Sequence, residues 1–213
     1  MAVTLPLTWL LTASLLAAGC SENSSFPPRT RVGTVPEGFS LRPVSSAEDA
    51  AAYVDGYARA LGVQDVRAAQ VLGFGNVYWV YVTERNTDRP AFSLKVGADG
   101  AIGIRPFPAM APEMMWNQKY GHEARPNPAM IEKSAPPAKA GKRLRQALPA
   151  NGEVRPGEAS AYYGYFLFPL CEGDRLVGEA AVNAADGVVT WKRFPEPPRS
   201  LWVAAGAKGP TCE

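Results

Sequence analysis

The side chains able to do covalent or metal chemistry are few: three cysteines (Cys20, Cys171, Cys212), one histidine (His122) and five methionines in 213 residues. His122 needs a nucleophile beside it to act as a general base, and no G-x-S-x-G turn presents one. H-E-x-x-H, C-x-x-C and C-x-x-C-H do not occur, so no spacing favours zinc or haem. Met110, Met114, Met115, His122 and Met130 fall within 21 residues, and thioethers with an imidazole suit copper. Nothing in their spacing fixes a coordination geometry, and methionine equally fills gaps in a core. Gly73-Phe74-Gly75-Asn76-Val77-Tyr78 opens like a dinucleotide loop but lacks the third glycine and the helix that holds a pyrophosphate. It reads as a turn between strands. The expectation is a non-enzyme with no metal and no cofactor.

Charge narrows the partners. Twenty-two Lys and Arg against 20 Asp and Glu leave a net +2, too little for a nucleic-acid binder. Residues 1–19 carry no charged side chain and centre on Leu10-Leu11-Thr12-Ala13-Ser14-Leu15-Leu16-Ala17-Ala18. That run is shorter than the roughly 20 residues that span a bilayer and has the length of a secretory core. It leads into Leu16-Ala17-Ala18-Gly19-Cys20, which resembles the lipobox of bacterial lipoproteins. The resemblance implies cleavage before Cys20, palmitate-type acylation of its thiol, and a chain held on the extracytoplasmic side of the cell membrane or outer membrane. Two or more acyl chains, at ~0.8 kcal/mol per buried CH₂, make a durable anchor. Residues 20–40 are polar, rich in Ser and Pro, and read as a flexible tether. Cys171 and Cys212 then remain, and an even pair in an exported protein favours a disulfide; free thiols stay open as the alternative.

The elements that position these residues are laid out twice. Ser45-Ser46-Ala47-Glu48 is a capping-box pattern, Ala50, Tyr53, Val54, Tyr57 and Leu61 recur at helical spacing, and Gly62 closes the helix. Strands follow at Val66–Phe74, Val77–Thr83 and Phe92–Val96, and Asp99-Gly100 turns into Ala101–Ile104. Ser134 then precedes Pro136-Pro137 and a basic helix with Leu144, Ala147 and Leu148 inward. Strands are expected at Ala159–Leu170 and Leu176–Ala184, with Asp186-Gly187 turning into Val188–Arg193. Ser134 stands 89 residues after Ser45, and Asp186 stands 87 after Asp99.

A helix followed by strands that run into a small-residue-Asp-Gly-apolar turn resembles the PepSY domain, best in Phe92–Ile102 and in Val177–Val189. Tyr162-Tyr163-Gly164-Tyr165 and Met114-Met115-Trp116-Asn117 resemble lipoproteins of this group as well. The resemblance implies an α+β fold of two PepSY-like helix-plus-antiparallel-meander repeats, at 41–104 and 134–213, joined by a Pro-rich connector at 105–133. PepSY modules are regarded as non-catalytic and extracytoplasmic, proposed to restrain peptidases, which implies an envelope protein partner here. Within the connector, Trp116, Asn117, Lys119, Tyr120 and His122 are the candidate binding residues. The aromatic ones either seal the seam between halves or face a partner. Small-ligand or copper binding in the cleft between repeats, and a structural envelope spacer, are the rival readings.

Overall fold

The computed structural model describes residues 32–105, 115–121, 137–150, 152–207 and 212. Residues 1–31, which hold the signal segment, Cys20 and the first part of the expected tether, together with Met110, Met114, His122, Met130 and Ser134, lie outside them. Residues 32–40, expected to be tether, instead pack on the first helix, with Val32 buried, Phe39 against Tyr53 and Tyr57, and the Gly33 amide donating to the Tyr57 hydroxyl at 2.7 Å. The described chain runs α1 (Ala47–Ala60), β1 (Val66–Phe74), β2 (Val77–Glu84), β3 (Pro90–Gly97), β4 (Ile102–Ile104), α2 (Pro137–Ala147), β5 (Arg155–Pro156), β6 (Ser160–Ala161), β7 (Tyr165–Glu172), β8 (Arg175–Asn183), β9 (Val189–Arg193) and β10 (Ser200–Val203). The class is α+β, with two helices and antiparallel sheets among the described residues.

Helix α1 starts one residue later than the capping box suggests. Ser46 is the N-cap, its Oγ accepting from the Asp49 amide at 3.0 Å, while the Asp49 carboxylate turns back to accept from the Ser45 amide at 3.0 Å. Two acids, Glu48 and Asp49, sit in the first turn and Arg59 in the last, as the helix dipole favours. Tyr53, Val54 and Tyr57 are buried on one face. Helix α2 opens on Pro137, a residue preset for a first helical position. It buries only Ala140, Gly141 and Leu144.

Alternation along the strands decides the layering. In β2, Val80 and Val82 pack with α1, whereas Trp79 and Tyr81 point the other way. In β7, Phe166, Phe168 and Leu170 pack with α2, whereas Tyr165 and Leu167 meet Leu72, Phe74 and Tyr81 of the first sheet. The two sheets therefore lie face to face, each with its helix outside, as four layers α/β/β/α. A bulge between Ala68 and Gln70 re-phases β1, so that Val66, Ala68 and Val71 all reach the α1 side while Leu72 and Phe74 reach the other sheet. This two-sided burial explains why β1 and β7 are buried almost end to end.

The sheet orders hold two departures from expectation. The run read as one strand, Ala159–Leu170, is broken into β6 and β7, because Gly164 takes φ +98° and a Cβ there would sit 2.1 Å from the Trp116 carbonyl. The C-terminal segment, read with the second half, contributes β10, which pairs with β1 in the order β10-β1-β2-β3-β4. Leu72 faces Leu201, and Gly73 faces Ser200, where a Cβ would lie 2.2 Å from the serine Oγ. The second sheet has the order β5-β7-β8-β9, with β6 also on β7.

Corresponding turns share their hydrogen bonds. Asp99 Oδ1 accepts from the Ala101 amide at 3.0 Å and Asp186 Oδ1 from the Val188 amide at 2.8 Å. The Ala98 amide donates to Asn76 O at 2.8 Å, and the Ala184 amide to Gly164 O at 2.9 Å. Strand pairings correspond too, Val80 with Leu94 and Phe168 with Ala180. The later turn holds one extra residue, Ala185, which accounts for the differing spacing of Val96 and Val182 from their aspartates.

Cys171, at the end of β7, is bonded to Cys212 with a Cα–Cα separation of 5.6 Å and a sequence separation of 41. Because β10 lies between them in sequence and on the other sheet in space, this bond closes a loop that ties both sheets together. In the chain-entropy model, closing a loop of that length contributes about 4 kcal/mol. Urea unfolding of the Cys171→Ala/Cys212→Ala protein should show up to about 4 kcal/mol lower stability. Amide exchange should be fastest in β10, and a variant as stable as the parent would contradict this role.

Candidate functional site

The candidate site has two polar centres, one in the layer between the sheets and one on the α1 side of the first sheet, where the connector and Tyr163 reach the end of β2. The first belongs to β2, β8 and the residue after β4. Arg105 is fully buried and Glu179 is 2% exposed. Arg105 Nη1 donates to Glu179 Oε2 at 2.5 Å and to the Tyr81 hydroxyl oxygen at 2.7 Å, and the Tyr81 hydroxyl donates to Glu179 Oε1. The guanidinium carbon lies 4.8 Å from the ring centres of both Trp79 and Tyr81, so aromatic faces cover what the carboxylate does not. Burial pushes the Tyr81 phenol well up; Arg105 pulls it down, and Glu179 adds to the rise. The phenol stays a neutral donor.

The second centre gathers on Glu84 at the end of β2. Its Oε1 accepts from Lys119 Nζ at 2.5 Å, Tyr163 Oη at 2.7 Å and Tyr120 Oη at 2.8 Å, and its Oε2 accepts from Thr87 Oγ1 at 2.7 Å. Burial alone raises this carboxyl, but the donors from Lys119, Tyr163, Thr87 and Tyr120 outweigh it and bring it down to about 2. Burial likewise lifts the Tyr120 and Tyr163 phenols, with Glu84 adding to both. Arg89 closes the cluster, its guanidinium carbon 4.0 Å from the Tyr163 ring centre and its Nη2 donating to Tyr162 O at 3.2 Å.

Four of the five candidate binding residues come together here, on the connector piece 115–121; His122 lies outside the described residues. Asn117 is 2% exposed and works inward. Its Nδ2 donates to Ala91 O at 2.5 Å, and its Oδ1 accepts from the Tyr120 amide at 2.8 Å and the Lys119 amide at 3.2 Å. Trp116 is half-buried, its ring 6.4 Å from that of Tyr165, and Tyr120 is buried against Phe92 and Tyr163. These side chains bind the connector to both sheets. What faces solvent is Met115 and part of Lys119.

Between the sheets, a cavity of about 30 Å³ is lined by Gln70, Tyr81, Thr83, Tyr162 and Glu179 among others. Pockets for small ligands run to roughly 300–1,000 Å³. Much of the layer between the sheets is filled by Leu72, Phe74, Tyr165, Leu167 and Phe194, and an open depression of about 300 Å³ at its edge is lined by Leu72, Arg175, Leu176, Leu201 and Cys212 among others. Sequence reasoning missed Glu84, Arg105 and Glu179. A faint signal exists for Glu179, the lone charge inside the apolar stretch Val177–Val182; nothing local marks Arg105, 74 residues away, as its partner.

Arg105→Met should cost about 3–5 kcal/mol, because it strands the Glu179 carboxylate in an apolar layer. Arg105→Met with Glu179→Gln should recover much of that loss in chemical denaturation, and no recovery would show that packing rather than charge dominates. Glu84 carries a pH signature. Its folded value lies below its ordinary value of 4.5, so its contribution is complete above pH 4.5 and is lost as pH falls toward 2. The stability gap between the parent protein and Glu84→Gln should therefore narrow over that window, and a gap independent of pH would count against it.

No protein-family model matches the chain, and no curated protein matches it. Among solved structures it is similar to the Bacillus megaterium YpeB C-terminal domain, with 10% sequence identity and a TM-score of 0.39 over 78% of this chain and 72% of that one.

Proposed function

We propose that the protein is a lipid-anchored, extracytoplasmic and non-catalytic binding or regulatory module, built from two PepSY-like repeats and acting on a protein partner of the envelope, such as a peptidase it restrains. The observation that carries this reading is where the buried charged groups point. Arg105 and Glu179 are spent on each other and on Tyr81 between the sheets, and Glu84 is spent on Lys119, Tyr120 and Tyr163, whereas a catalytic acid or nucleophile must meet substrate. A seam built this way holds two halves rigidly and leaves recognition to the outer faces. The matched Asp-Gly turns and strand pairings support the duplication. The lipobox-like Leu16-Ala17-Ala18-Gly19-Cys20 supports the anchor, and the Cys171–Cys212 bond fits an oxidising compartment.

Two measurements test the reading. Mass spectrometry of the mature chain should find Cys20 first and acylated, and Cys20→Ser should remain unprocessed; a soluble mature chain with an unmodified thiol would sink the anchor. Mild crosslinking in cells, followed by detergent extraction, should recover a stoichiometric envelope protein with the parent chain. Recovery of the chain alone across growth conditions would argue against a protein partner.

A further inference from the structure

We infer that the exposed face of α2 is a docking surface for an anionic phospholipid bilayer. Four cations, Lys139, Lys142, Arg143 and Arg145, lie exposed on this helix, and Pro137–Ala147 contains no acid. None of the four takes part in an ion pair among the described residues. Ala140, Gly141 and Leu144 face the second sheet, so the helix lies flat and its cations, from Lys139 to Arg145, span about 9 Å along its axis on the outside of the molecule. The neighbouring charges leave this row in place. Arg143 Nη1 donates to the Asp186 carbonyl, not its carboxylate, and Arg193 and Arg175 share the single carboxylate of Glu172.

The opposite outer face has no such excess of cations. Helix α1 carries Glu48, Asp49 and Asp55 against Arg59, with Asp49 paired to Arg42 from the preceding loop. Four stacked layers thus present a basic helix on one side and an acidic helix on the other, an arrangement that orients the molecule against a charged plane. A row on a convex helix suits a flat phosphate surface, and Val188, half exposed in the turn that Arg143 touches, adds an apolar contact at the same edge. Residues 20 to 32 reach at most about 40 Å, and the helix-to-helix thickness is about 30 Å at roughly 10 Å per layer. The tether length therefore permits this face to turn toward the bilayer. The inference rests on the proposed anchor only for the nearness of that bilayer.

The test uses the acylated full-length protein on vesicles of phosphatidylcholine alone and on vesicles with about one-third phosphatidylglycerol. Acetylation of Lys139 and Lys142, followed by peptide mass spectrometry, should slow several-fold on the anionic vesicles and recover at high salt, while Lys95 on β3 stays unchanged. Lys139→Gln with Lys142→Gln, both exposed and without a side-chain partner among the described residues, should weaken the salt-sensitive attraction about fivefold for each charge removed. Equal labelling on both vesicle types would overturn the inference. Protection by envelope extract but not by protein-free vesicles would assign the face to an acidic protein and overturn it as well. Retention on neutral vesicles reads the anchor separately: a protein that leaves them yet binds anionic vesicles refutes the anchor and upholds this face.

Discussion

Two sheets that are apolar on both faces cannot stand in water, and that constraint organises the molecule. Each sheet needs a helix on one side and the other sheet on the other side, so neither half can shed its neighbour without exposing Leu72, Phe74, Tyr165, Leu167 and Phe194 together. Apolar contact alone is tolerant of sliding. The Arg105–Glu179–Tyr81 cluster is not, because a charge displaced by an ångström or two in a dry layer loses its partner. Burial drives the association, and the ion pair fixes its register.

Two covalent paths then reinforce the same seam from different ends. The connector piece 115–121 delivers Asn117, Lys119 and Tyr120 to Ala91 and Glu84. The C-terminal segment leaves the second sheet after β9, adds β10 to the first, and returns to Cys171 through Cys212. A body crosslinked this way gains little from opening its middle. Under the proposed function, recognition falls to the outer helices, the sheet edges and exposed side chains such as Leu201 and Met115.

How much of this could be read from the sequence depended on whether the signal was local. Strand β1 was legible at its exact bounds, and β2, β3, β8 and both helices to within a few residues, because apolar period and turn chemistry lie within ten residues of one another. Asp99-Gly100 and Asp186-Gly187 announced their turns for the same reason. The break at Tyr162–Gly164 was hidden because two of its three residues are tyrosines, which also suit a strand. Strand β10 was hidden because Ser200–Val203 is short and its partner lies some 130 residues earlier. Of the site, Trp116 and Tyr120 stand out as too apolar for a free linker, and Asn117 and Lys119 through the family resemblance, but the direction in which Lys119 and Tyr120 face is set by Glu84, which no spacing rule connects to them. Buried ion pairs between distant strands leave only the faint trace of a charge where alternation calls for something else.

The corresponding positions in the two halves reveal how the seam became asymmetric. Under the proposed duplication, the pair Tyr81 with Ser93 in the first half matches Pro169 with Glu179 in the second. All four occupy the central hairpin of their sheet, yet only one half supplies the carboxylate and only the other supplies the phenol. A symmetric seam would bring two like groups together across the interface, and two carboxylates in a dry layer repel. Ser93, fully buried and small, leaves the first half uncharged at the position where the second carries Glu179. The same divergence extends outward, to an acid-rich α1 and an acid-free α2. Under that duplication the fold gains a single internal register and two distinguishable outer faces, which is what the proposed module needs to hold one orientation between its anchor and a partner.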